Sequence, residues 1–174
     1  MKAYKRFILI MGLAMVFNLL GIKASTFAID SKLSRESLRG IAGVYVLVEK
    51  FSPEEKRAGF SKKQVQTDVE LKLRLAGIKV QNKEEHLEAP GMPHLYVSVD
   101  TVSVSQNFFY YVISIEIWQN VSLERNANFN YKAMTWSWDT MGHGKTEHIR
   151  THLKDKIDVF INAYLSVNPK TKEK

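Results

Sequence analysis

The stretch Leu95–Leu123, LYVSVDTVSVSQNFFYYVISIEIWQNVSL, decides how this chain folds. Its second half alternates over most of its length. Phe109, Tyr111, Ile113, Ile115, Ile117, Val121 and Leu123 share one face, and Tyr110, Val112, Ser114, Glu116, Trp118, Asn120 and Ser122 share the other. Side chains alternate across a strand, so the pattern predicts one buried face and one mixed face. In the first half the apolar phase slips, from odd positions (Leu95, Val97, Val99) to even ones (Val102, Val104). A tight turn at Gln106-Asn107, where Asn tolerates positive φ, makes the two halves an antiparallel hairpin. That turn sets Val104 opposite Phe109 and Val102 opposite Tyr111. One extra residue at Asp100-Thr101 then brings Val99, Val97 and Leu95 opposite Ile113, Ile115 and Ile117. The sequence therefore predicts a β-bulge at Asp100-Thr101.

Downstream, Glu124–Asn128 reads as a turn and Phe129–Trp138 as a third arm. A five-residue loop pairs Leu123 with Phe129, Val121 with Tyr131 and Gln119 with Ala133. It places Met134, Trp136 and Trp138 beside Trp118 and Glu116 on the second face. A four-residue loop swaps the faces and sends the tryptophans into the core, because a one-residue slip inverts every side chain. Gly142-His143-Gly144 breaks the strand pattern. A helix over Thr146–Ser166 follows, with Ile149, Leu153, Ile157, Phe160, Ile161 and Tyr164 at helical period, and Pro169 beyond its end.

Upstream, Ile41–Glu49 is apolar on both faces, as a central strand is. Phe51–Phe60 reads as a loop. Ser61 and Gln64 form a capping box for a helix that Gly77 ends, with Val65, Val69, Leu71, Leu73, Leu75 and Ala76 on a wide apolar face. Ile78–Val80 is a short strand, and Gln81–His94 a polar connection. Residues 25–40 form an N-terminal arm or short helix, residues 41–168 a single domain, and residues 169–174 a charged, disordered tail. This order predicts an α+β two-layer sandwich, β-α-β followed by a three-strand antiparallel meander and a C-terminal helix, with the helices on one sheet face.

Residues 1–24 have the form of a signal peptide. Lys2, Lys5 and Arg6 precede an apolar run, Phe7–Ile22, and Ala24 offers a small residue before the cut; Thr26-Phe27-Ala28 is a second possible site. The run is about 16 residues, short of the roughly 20 that span a bilayer, so no stable span remains after cleavage. Four of the 25 Lys and Arg, and none of the 18 Asp and Glu, lie in residues 1–24. The formal +7 of the whole chain thus becomes +3 on residues 25–174. Mixed signs at that net charge lack the basic stripe that nucleic-acid binding requires. The chain has 0 cysteines, which excludes a lipid-bearing cysteine, disulfides and thiolate metal sites.

Three residue sets bear on chemistry. His148 and His152 lie four apart on the last helix, with His143 close in sequence. Such a pair holds zinc when a third ligand joins it, but Glu147 precedes the pair rather than lying inside it, as the zinc-protease signature requires. Glu49, Asp100 and Glu116 lie on strands, no G-x-S-x-G elbow is present, and Gly40 and Gly43 precede a strand rather than opening a helix. Tyr110, Trp118, Met134, Trp136 and Trp138 form one aromatic strip if the five-residue register holds, and tryptophan is favoured at binding hot spots.

The strand, the amphipathic helix, the AGIKV segment (Ala76–Val80) and the later meander with its terminal helix resemble small exported α+β domains of bacterial envelope proteins. These include the amino-terminal domain of TolB-like proteins and periplasmic transport-accessory domains. The resemblance is one of element order over residues 41–166 and implies a role in assembly or binding rather than catalysis. The leading expectation is a periplasmic or secreted, non-enzymatic protein without a cofactor. Its partner is an envelope protein or a small ligand, met through Trp118, Trp136 and Trp138 or through a sheet edge. The alternative is a metal-binding protein or metal-dependent enzyme using His148 and His152.

Overall fold

A computed structural model describes residues 28–169 of the chain. The expected signal peptide and nearly all of the charged tail lie outside the described residues, and of the two expected cleavage sites Ala24 lies outside them and Ala28 at their margin. Five strands form one sheet. They are β1 (Ala28–Ile29), β2 (Tyr45–Val48), β3 (His94–Ser105), β4 (Phe108–Leu123) and β5 (Asn126–Gly144), in the spatial order β1-β5-β4-β3-β2. β3, β4 and β5 are the antiparallel meander, β2 runs parallel to β3, and β1 pairs antiparallel with β5. The helices are α1 (Lys32–Glu36), α2 (Pro53–Arg57), α3 (Lys62–Leu75), α4 (Lys83–Glu88) and α5 (Thr146–Val167). The protein is an α+β sandwich with α3 and α5 packed on one face of the sheet. Among the described residues no helix is long and apolar enough to cross a membrane.

The core is the layer between that face and the two long helices. Leu95, Val97, Val99, Ile113, Ile115 and Ile117 point into it, and α5 answers with Ile149, Leu153, Ile157, Phe160, Ile161 and Tyr164, all buried. Each buried aliphatic side chain contributes about 1.5–3 kcal/mol relative to exposure. α3 buries Val65, Val69 and Leu73, while Leu71 and Leu75 stay exposed, so its apolar face is narrower than the sequence suggests. The Ser61 hydroxyl accepts the Gln64 N–H, and Gly77 at φ +77° closes the helix. There the Gly77 N–H bonds to the Arg74 carbonyl and the Ile78 N–H to the Leu73 carbonyl, which satisfies two free carbonyls of the last turn. Across the helix layer, Asp68 on α3 receives Arg150 and Lys154 from α5.

The structure corrects several expectations. Asp100 and Thr101 sit in unbroken ladder pairing, with Val112 and Tyr111, so there is no bulge there. The extra residue is Val104, between the Ser103–Phe109 and Ser105–Phe108 pairs. The core pairs Leu95–Ile117, Val97–Ile115 and Val99–Ile113 form as expected, but Val102 pairs with Tyr110 and faces outward. The change of apolar phase marks a change in which face is apolar, rather than an inserted residue. Asn107 does hold positive φ, at +60°.

A second irregularity decides the fate of the tryptophans. Val121–Tyr131 and Gln119–Ala133 pair as the five-residue loop predicts, although Leu123 meets Asn126 rather than Phe129. Then Trp118 pairs with Met134 and Ile117 with Trp136, which leaves Thr135 as an extra residue. A bulge inverts the faces beyond it. Trp136 and Trp138 therefore turn toward the core, and β5 runs on through Gly144 instead of ending at Trp138.

β2 lies at a sheet edge, not the centre, and the expected strand at Ile78–Val80 reduces to one bridge, Val44–Val80. The two segments read as connections, Phe51–Phe60 and Gln81–His94, contain short helices, and within the N-terminal arm or short helix the short-helix alternative holds. Ser31 with Ser34, Ser52 with Glu55 and Asn82 with Glu85 form reciprocal capping boxes for α1, α2 and α4. The last of these departs from a one-sided helix layer. α4 carries His86 against Tyr45 and His94, whose neighbours Val46 and Leu95 point into the core, so α4 covers one end of the opposite face.

Candidate functional site

Most of the sheet's outer face carries no helix, and its side chains sort into two bands. The first is apolar. Val102 on β3, Tyr110 and Val112 on β4 and Met141 on β5 are 68%, 59%, 38% and 47% exposed. The registers Val102–Tyr110 and Val112–Met141 set them side by side. With His143, which packs edge-on against Tyr110, and Asp100 at one end, they line an open groove of about 420 Å³. Isolated exposed apolar residues are ordinary, but a contiguous set on an uncovered sheet marks an interaction site.

The second band is acidic and begins at Asp100. Glu49 follows β2 and Glu116 is on β4, while Glu55 approaches the same sheet edge from α2 on the helix side, where its carboxylate accepts the Thr101 hydroxyl at 2.9 Å. Glu49, Glu55, Asp100 and Thr101 line a second cavity of about 360 Å³ that adjoins the apolar groove at Asp100 and Thr101. Burial and then the Glu49 and Glu55 carboxylates hold the Asp100 carboxyl above its usual range. Tyr96, between these groups, is pushed up to about 12 by burial and then by Glu49. The electrostatic field on this part of the face favours a cation.

The tryptophans expected to share this face do not. Trp118 is on it, half-buried, donating its indole N–H to Glu116. Trp136 is fully buried, 5.4 Å from the Phe160 ring, and donates to Asp30 Oδ1 at 2.9 Å. Asp30 also holds Arg35 in a two-pronged pair, and those bonds keep its carboxyl below the usual range against the opposing effect of burial. Trp138 packs against the core. The single strip of Trp118, Trp136 and Trp138 therefore does not form, because the Thr135 bulge divides it between two faces. Tyr110 does lie where the sequence places it. Val102, Met141 and His143 were not expected there; the even parity of Val102 and Val104 signalled Val102, whereas Met141 and His143 lie beyond the expected end of the third arm at Trp138.

The histidines divide in the same way. His143 lies on the outer face. His148 and His152 stack on α5 with ring centroids 6.2 Å apart, on the helix side of the sheet, His148 exposed and His152 half-buried. The His152 Nδ1 bonds with the Tyr111 hydroxyl at 2.6 Å. Burial lowers the affinity of His152 for a proton, and Lys156 and His148 add to that. Among the described residues no three His, Asp or Glu side chains gather as a metal cage. Two glycines make room for this cluster. A Cβ on Gly142 would lie 2.5 Å from the Tyr111 hydroxyl, and one on Gly144 would lie 2.6 Å from His148 Cδ2. The glycines that looked like a break in the strand are where β5 passes closely over Tyr111 and His148.

A second histidine pair joins α4 to the sheet. His94 is 6% exposed, its ring edge-on to His86 at 5.8 Å, and His86 stacks on Tyr45. Burial drives His94 down to about 4, with Lys132 and His86 contributing, so both rings stay neutral near pH 7. This pair anchors α4 and bounds the open part of the outer face. No protein-family model matches the chain, and no curated protein matches it.

Proposed function

We propose that the protein is an exported, non-enzymatic binding component of the cell envelope, and that it engages its partner through the outer face of the sheet. The observation that carries this reading is the apolar groove of Val102, Tyr110, Val112 and Met141, exposed on a sheet whose other face packs against α3 and α5. Export is supported by the basic residues and apolar run of residues 1–24. The resemblance of the element order to that of exported envelope domains favours assembly or binding over catalysis. The groove offers shape, apolar contact and a graded charge, which are the elements of recognition.

The test is a photo-cross-linking amino acid placed at Tyr110 in living cells. A discrete adduct in the envelope fraction is expected, absent when the same group replaces Leu75, which is 78% exposed on α3. Adducts from both positions alike, or from neither, would overturn the reading. Cell fractionation tests export separately, since an uncleaved chain confined to the cytosol contradicts it.

A further inference from the structure

The proposal above leaves the partner's chemistry open, and the outer face narrows it. We infer that the groove receives a segment of a partner protein in which apolar side chains stand next to lysine or arginine. The apolar residues would lie on Tyr110, Val112 and Met141, and the cation would sit at Asp100, Glu49 and Glu55. This inference rests on the groove being the docking surface.

Charge complementarity identifies the occupant. Residues 25–174 carry a net +3, so an acidic cluster on this face does not follow from the composition of the chain. Among the described residues, none of Glu49, Glu55, Asp100 or Glu116 is in an ion pair, whereas Asp30, Asp68, Glu70, Glu85 and Asp158 are. Lys50 lines the same cavity without pairing with them. The cavities meet at Asp100 and Thr101, so an apolar site and a cation site are contiguous. Glu49, Glu55 and Asp100 come from three different elements, and their mutual repulsion is relieved by a cation supplied from outside. A carboxylate-bearing segment would meet repulsion at the same point, which gives selectivity as well as attraction.

The probes are three fluorescent peptides with the same alternating Phe and Leu residues, separated by Lys, by Ser or by Glu. Each is titrated by anisotropy against protein purified after expression of the full chain. At roughly 0.01 M salt the Lys peptide is expected to bind about tenfold more tightly than the Ser peptide, the gain that two partly exposed ion pairs supply. The Glu peptide is expected to bind most weakly. At roughly 1 M salt, where charges are screened beyond about 3 Å, the Lys and Ser peptides should converge. Combined Asp100→Asn and Glu49→Gln substitutions should remove most of the difference in affinity between the Lys and Ser peptides. Tyr110→Ala, at an exposed site that folding does not need, should weaken all three. Equal binding of the three peptides, with the Tyr110→Ala effect intact, overturns the charge inference and leaves the groove as the docking surface. Binding indifferent to Tyr110→Ala overturns both. Failure of every peptide to bind overturns the inference, and cross-linking at Tyr110 then decides the groove reading alone.

Discussion

Replacing Trp136 with alanine separates a core residue from a docking residue by magnitude. The side chain is fully buried, pairs with Ile117 across the ladder and packs against Phe160. Truncating a buried tryptophan costs about 3–5 kcal/mol through lost burial and the cavity left behind. The Asp30 carboxylate also loses one donor while keeping its two bonds to Arg35, and a hydrogen bond to a charged group is worth about 1.5–3 kcal/mol. The two losses overlap, so the expected cost is about 4–6 kcal/mol, a large part of the 5–15 kcal/mol that holds a typical domain together. Trp136→Phe keeps most of the aromatic volume and loses the N–H, so about 2 kcal/mol is expected. Urea unfolding followed by far-ultraviolet circular dichroism reads both, through a lowered midpoint at unchanged slope. Tyr110→Ala is the contrast, with a change within about 0.5 kcal/mol at its exposed site. A Trp136→Ala midpoint close to that of Tyr110→Ala would refute the Thr135 bulge and return Trp136 to the outer face.

Other consequences are equally direct. Gly142→Ala drives a methyl group to 2.5 Å from the Tyr111 hydroxyl, so the ring must move and its bond to His152 must break. A loss of about 1–3 kcal/mol is expected, and Tyr111→Phe in the same chain should recover part of it in a double-mutant cycle. The proton affinity of His94 is lowered in the folded state, from 6.5 to about 4, so folding excludes the charged form. Its contribution is full above pH 6.5 and is lost as pH falls from there to about 4, by up to about 3 kcal/mol. Asp30, whose carboxyl lies below its usual range, acts in a separate and lower window, losing its contribution as pH falls below about 4. Urea midpoints across pH should show the His94 slope, and His94→Gln should flatten it.

The sequence made local structure legible wherever one face is buried over a long run. The six core positions of α5, the inward row of β4, the turn at Asn107 and the cap pair Ser61 and Gly77 all follow from period and residue type. What stayed hidden depends on single residues that carry no signal of their own. Thr135 and Val104 each take an extra place in a ladder while alternation continues on both sides, so parity can be read locally but not carried through them. The sheet order was hidden for another reason. Val44, Val46 and Val48 read as a central strand, yet β2 is an edge whose outward Tyr45 is covered by α4, a pairing set by distant parts of the chain. The capping boxes of α2 and α4 were visible in Ser52/Glu55 and Asn82/Glu85, but those helices lack the apolar period that distinguishes a helix from a loop. The candidate site was legible in Tyr110 and Val112, which the alternation of β4 places on the second face. Its other members needed the true position of the bulge and the continuation of β5 past Trp138.

Because the chain has no cysteine, a single one can be placed at will. Maleimide labelling rates of Tyr110→Cys and Leu75→Cys, measured in purified protein and again in intact cells, bear most directly on the claim that the open sheet face holds a partner. Both sites should react quickly in the purified protein, and in cells Tyr110→Cys should slow several-fold relative to Leu75→Cys. Equal rates at the two sites in both settings would mean that nothing occupies the face.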